Sequence, residues 1–115
     1  MPYLQSLTRK SILLPKLEVA KNFSSRLVGL LGKSSLTNEE GLWIERCNSI
    51  HTFFMRFAID CVFVDQENKV CSIKRNVAPF RMITRQPTAR AVIEMKSGNV
   101  DFLGIQLGEN LDVGT

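Results

Sequence analysis

The sequence predicts a mainly β fold, an antiparallel β-sandwich or barrel-like single domain with one or two short helices. Three observations carry that expectation. Ala58 to Asp65 (AIDCVFVD) is the clearest strand-like run, and Gln66-Glu67-Asn68 turns it into a second strand-like run, Lys69 to Lys74. Other short β-patterned runs recur between Gly, Pro, Asn and Ser residues, the spacing of sandwiches and barrels. Helical periodicity is confined to brief stretches.

Ser11 to Ala20 alternates loosely and reads as the first strand. Pro15 lacks an N–H, which places it at an edge or a bulge. Phe23, Leu27, Leu30 and Leu31 then fall on one helical stripe, between Asn22 as N-cap and Gly32 as the left-handed residue that ends the helix. Gly29 within that helix costs about 1 kcal/mol relative to Ala, which points to a close packing contact. Gly41 to Glu45 reads as a strand, and Ile50 to Met55 as extended or irregular apolar chain.

Both faces of Cys61 to Val64 are apolar, so this strand should be central and covered on both sides. Asn tolerates a left-handed backbone, and Asn68 in that conformation closes a three-residue hairpin turn. That register sets Asp65 opposite Lys69, Phe63 opposite Cys71, and Cys61 opposite Ile73. Pro79 and Pro87 bracket a long loop, and Ala89 to Met95 is another strand. Ser97-Gly98 is a turn, Asn99 to Leu103 a single-turn helix ended by Gly104, and Leu111 to Val113 a last strand after the turn at Leu107 to Asn110.

With 115 residues, the chain forms one domain, residues 1–115, with a core of its own. Apolar content of 44% and charged content of 23% are those of a globular protein. No apolar run approaches the ~20 residues of a membrane span. Arg9 and Lys10 interrupt the N-terminal stretch, so a signal peptide is not expected and a cytoplasmic location is the default. Three cysteines, Cys47, Cys61 and Cys71, make an odd set without C-x-x-C spacing and read as buried free thiols. Lys69, Lys74, Arg75, Arg81, Arg85 and Arg90 follow one another without an intervening acid. They form either an anion-binding face or a set of charges pointing different ways from strands and loops.

The order Asn22, Arg26, Gly29-Leu30-Leu31-Gly32-Lys33, Gly41-Leu42 and CNSIHTFFMRFAIDCVFVDQENKV resembles the domain of unknown function 192 (DUF-192) family. Val92-Ile93-Glu94, Ser97-Gly98, Leu103-Gly104-Ile105 and Gly108-Glu109 fit its ending, so the resemblance spans about residues 17–113. Two departures are Ala58, where a Pro is usual, and Asn68, where the turn usually has Gly. The resemblance implies a mainly β single domain and no particular reaction, so function has to be argued from the site.

Cys47 and His51 are the obvious nucleophile and base, but their i, i+4 spacing brings them together only on a helix, and this stretch reads as strand or loop. A single His leaves too few strong donors for zinc, even with Cys47, Asp60 or Glu45, so no metal or other cofactor is expected. Residues 50 to 56 are the densest unusual sequence. Run extended, they place His51, Phe53 and Met55 on one face and Thr52, Phe54 and Arg56 on the other. One face would enter the core and the other a groove; alternatively, His51 and Thr52 anchor an irregular loop through backbone hydrogen bonds. Asp60 begins an apolar strand, with Arg56 or Arg81 as a conceivable partner.

These residues suggest a non-catalytic binding domain whose pocket is lined by Trp43, His51, Thr52, Arg56 and Arg81 and takes a small anionic or sugar-like ligand. Trp43 has core packing as its alternative role. A small hydrolase with His51 as base is a second reading. A binder of nucleic acid or an acidic partner through the basic 69–90 segment is a third, held lower because the aromatic-basic interleaving of RNA modules is missing. Oligomeric state is not legible.

Overall fold

Alternation along a strand buries both faces only where a layer covers each face, and Ile59–Val64 meets that condition at all six positions. The computed structural model of the protein describes residues 1–21, 35–53 and 55–115. The strands are β1 (Tyr3–Ser6), β2 (Ser11–Leu14), β3 (Lys16–Ala20), β4 (Glu40–Ile44), β5 (Ile50–His51), β6 (Ile59–Val64), β7 (Val70–Val77), β8 (Met82–Ile83), β9 (Ala91–Lys96) and β10 (Leu111–Gly114). Among the described residues one short helix, α1, spans Asn99–Leu103. The helix expected after Asn22 lies outside the described residues.

The main sheet has the order β3-β4-β9-β6-β7, a second has the order β10-β1-β2, and β5 pairs with β8. The expected sandwich-like, mainly β architecture is therefore present, and the sheets do not close into a barrel. β6 is an interior strand, as its two apolar faces require. Its Val62 and Val64 pack with Trp43, Ile93 and Met95 against Leu4, Leu14 and Leu111 of the second sheet. Cys61 and Phe63 face the other way, with Leu42, Ile44, Ile50 and Met55. Gly41 belongs to the first face: a Cβ there would lie 2.5 Å from Leu14 Cδ1 and 3.3 Å from the Glu94 carbonyl oxygen.

Four details depart from the sequence reading. Pro15 is a break rather than a bulge, because the chain leaves the second sheet at Leu14 and enters the main sheet at Lys16. β3 pairs with β4 in parallel, an exception to the antiparallel expectation. Tyr3–Ser6 forms a strand that the local pattern did not announce. The hairpin closes as expected, with Asn68 at φ 62° and the Asp65 N–H donating to the Lys69 carbonyl at 2.9 Å. A bulge at Cys71 then shifts the ladder, so Phe63 pairs with Ser72 and Cys61 with Lys74.

Asp60 is 1% exposed and forms no ion pair with Arg56 or Arg81, its expected partners. Its Oδ1 accepts from the Asn76 N–H at 2.8 Å, and its Oδ2 from the Gly98 and Val100 N–H groups, both at 3.0 Å. The N-terminus of α1 has no side-chain cap of its own, so this strand carboxylate satisfies its orphan amides. Gly104, at φ 69°, ends the helix as expected.

Candidate functional site

Residues 50–56 do not run extended. After β5 the chain turns, with the Met55 N–H donating to the Thr52 carbonyl at 3.2 Å. Thr52 is fully buried: its Oγ1 donates to the Ala78 carbonyl at 2.7 Å and accepts from the Arg81 N–H at 2.9 Å. The Phe80 N–H reaches the Thr52 carbonyl and the Thr52 N–H the Arg81 carbonyl, both at 2.9 Å. Thr52 thus clips the 78–81 loop to the start of the SIHTFFM segment, a backbone-anchoring role.

The five sequence candidates are not brought together. Trp43 is 5% exposed and faces the interior between the two sheets, whereas β5 packs on the opposite face of the main sheet. Arg56 and Arg81 are exposed and line neither of the two grooves described below. His51 does line one. Half-buried, it stacks on Phe53 with ring centroids 4.7 Å apart and 24° between planes. Its register partner on β8 is Met82, 64% exposed.

That groove, about 470 Å³, lies between residues 46–51 and 82–85 and includes Ile50, His51, Met82 and Ile83 on its walls. A second groove of about 420 Å³ shares Arg46, Cys47, Asn48 and Arg85 with it and continues to Gln66, Thr88 and Arg90. Both are of the size that takes small ligands. Cys47 donates its thiol to the Ser49 carbonyl at 3.0 Å, back along its own loop.

A backbone tie explains how two of the arginine-bearing segments come together. β4 ends at Ile44, opposite Val92 of β9, and just beyond it the Cys47 N–H bonds to the Arg90 carbonyl, which sets Arg46 and Arg90 on the walls of the same groove. Three backbone bonds, all 2.8 Å, hold these loops: Cys47 N–H to the Arg90 carbonyl, Arg90 N–H to the Val64 carbonyl, and Gln86 N–H to the Asn48 carbonyl. Arg46 has φ 52° and Thr88 φ 66°, left-handed conformations that a non-glycine residue adopts only when its surroundings impose them. Among the described residues the ion pairs are Arg9–Glu109 and Arg75–Asp101, so Arg46, Arg85 and Arg90 have no carboxylate partner there. The basic 69–90 run is accordingly divided: Arg75 pairs with an aspartate, while Arg85 and Arg90 face the groove. The sequence reading missed Arg46 and assigned Arg85 and Arg90 only to the basic run; the usable signal was a cation just beyond each of two paired strand ends.

No group of three or more His, Cys, Asp or Glu among the described residues is arranged to hold a metal, and no helix among them is long and apolar enough to cross a membrane.

The fold recurs in solved structures. A protein of unknown function from Novosphingobium aromaticivorans superposes with a TM-score of 0.80 at 20% identity, over 96% of this chain and 82% of that one. A chain from Sinorhizobium meliloti, provisionally named a transcription regulator, gives 0.81 at 21% identity over 97% and 91%. At those identities the likeness concerns the fold alone. A UPF0127 protein of Pyrococcus abyssi is 31% identical over 104 residues, 84% of this chain and 85% of the relative. Another from Thermococcus sibiricus is 36% identical over 64 residues, 56% of this chain and 41% of that longer protein. The profile of the uncharacterised family DUF192 (“Uncharacterized ACR”) matches residues 5–113. The chain belongs to the DUF192 family.

Proposed function

We propose that the chain is a non-catalytic binding domain that holds a small anionic ligand in the joined grooves between residues 46–51, 82–85 and 88–90. One observation carries this reading: Arg46, Arg85 and Arg90 line one groove without a carboxylate partner among the described residues. Guanidinium groups clustered at a concave surface repel one another, and a ligand with forked acceptors relieves that repulsion. His51 keeps its place as a contact, and Thr52 supports the wall by holding the loop that leads into β8. Arg56, Arg81 and Trp43 do not line these two grooves, so this reading gives them no contact with the ligand. Neutral sugars lack the charge that this set of side chains favours.

Thermal shift against a panel of small anions and neutral sugars tests the reading. A ligand at ten times its Kd adds about 1.4 kcal/mol, which raises the Tm of a domain this size by roughly 5 °C. An anion should produce that shift in the wild type and much less in Arg46→Ala/Arg85→Ala. Equal shifts in both proteins, or shifts with sugars alone, would contradict it.

A further inference from the structure

We infer that the ligand of this groove carries an aromatic ring and a phosphate on one small molecule. The inference rests on the anion-binding reading above and specifies its ligand. The joined grooves divide by chemistry. At one end Ile50, His51, Met82 and Ile83 supply apolar and aromatic wall, with the His51 ring backed by Phe53 at 4.7 Å. At the other, Arg46, Arg85 and Arg90 surround a polar hollow with Gln66 and Thr88. The two ends share Arg46, Cys47, Asn48 and Arg85, so they adjoin closely enough for one ligand to contact residues of both.

A flat ring suits the first end. The stacked His51–Phe53 pair holds an aromatic face in place, and the exposed Met82 thioether beside it makes favourable contact with ring edges. The second end calls for more than one negative charge, because three arginines line it. A phosphate monoester brings close to two charges at neutral pH and three oxygens for forked donors, whereas a carboxylate brings one charge and two oxygens. The backbone bonds that tie residues 47, 86 and 90 to neighbouring strands place the arginine-bearing segments before a ligand arrives.

Isothermal titration at constant ionic strength, with inorganic phosphate, phenyl phosphate, benzoate, adenosine and adenosine monophosphate, tests the inference. Phenyl phosphate and adenosine monophosphate should bind at least tenfold more tightly than inorganic phosphate, benzoate or adenosine. Arg85→Ala should weaken both phosphate esters at least tenfold. His51→Ala should bring them down to the inorganic phosphate level while leaving inorganic phosphate itself unchanged. Met82→Ala, at an exposed position, repeats the ring test without disturbing packed side chains. Benzoate binding as tightly as phenyl phosphate, with loss in Arg85→Ala, would overturn the phosphate requirement and leave the anion groove standing. Binding of no anion at all would overturn both. Single-stranded oligonucleotides of increasing length, titrated under the same conditions, should bind no more tightly than adenosine monophosphate, and affinity that climbs with their length would overturn the small-molecule ligand in favour of nucleic acid.

Discussion

The two ends of the main sheet treat charge in opposite ways. At one end Asp60 is 1% exposed, and its two oxygens accept from three backbone N–H groups on β7 and the start of α1. At the other, Arg46, Arg85 and Arg90 are exposed, line one groove held by loop ties, and pair with no carboxylate among the described residues. A buried charge survives only when the fold satisfies it, so Asp60 belongs to the architecture. Exposed like charges held together need no internal partner to be tolerated, but nothing in the packing asks for them. The difference separates residues that make the fold from residues that the fold presents.

Removing the architectural charge should have the largest effect. Asp60→Ala leaves three amides without their acceptor and is expected to lower unfolding free energy by about 4 kcal/mol. Urea denaturation would show it, and a loss under 1 kcal/mol would erase the contrast between the two ends.

Glu109 extends the architectural side to the second sheet. It is 5% exposed and accepts from Ser6 Oγ and Arg9 Nε, both at 2.6 Å, and from the Gln106 N–H at 3.1 Å. Burial pushes its carboxyl pKa up, but the hydrogen bonds from Ser6, Arg9 and Gln106 and the Arg9 charge outweigh burial, leaving it below the ordinary 4.5. A carboxylate with a lowered folded pKa stabilises fully above its unfolded value, and that contribution disappears as pH falls through the folded value. Glu109→Gln should cost about 2 kcal/mol at neutral pH, moderated because water screens the partly exposed Arg9. The gap between wild type and variant should be flat at neutral pH and shrink below 4.5. A gap that widens on acidification would reverse the assigned sign.

Thr52 stands between the two classes, since it is fold-holding in contacts and groove-supporting in position. Thr52→Val should cost about 1.5 kcal/mol, leaving the Arg81 N–H and the Ala78 carbonyl without the hydroxyl. Hydrogen exchange at the Arg81 amide should quicken while amides in β6 keep their protection. Uniform loss of protection would make Thr52 a global rather than a local clip.

What was legible in the sequence follows the same division. Ile59–Val64, the Asn68 turn and the Asn99–Leu103 helix with Gly104 behind it are each determined within a few residues, by alternation, a left-handed Asn and a C-terminal Gly. The parallel partner of β3 and the bulge at Cys71 depend on contacts distant in sequence, and no local pattern records them. His51 drew notice because SIHTFFM is unusual as a string, and it does line a groove. Thr52 drew the same notice, and its side chain is occupied by the 78–81 loop. Arg46 and Arg90 were harder to see, because 44 positions separate them and only the backbone tie from Cys47 to Arg90 sets them on one groove.

The central claim, that the groove arginines serve a ligand and not the fold, is tested most directly by urea unfolding of Arg46→Ala/Arg85→Ala/Arg90→Ala with and without phosphate. The account predicts stability within about 0.5 kcal/mol of wild type in phosphate-free buffer, the usual range for surface changes. It also predicts stabilisation by added phosphate that the wild type shows and the triple variant lacks. A loss above about 2 kcal/mol without phosphate, or equal stabilisation of both proteins by it, would contradict the claim.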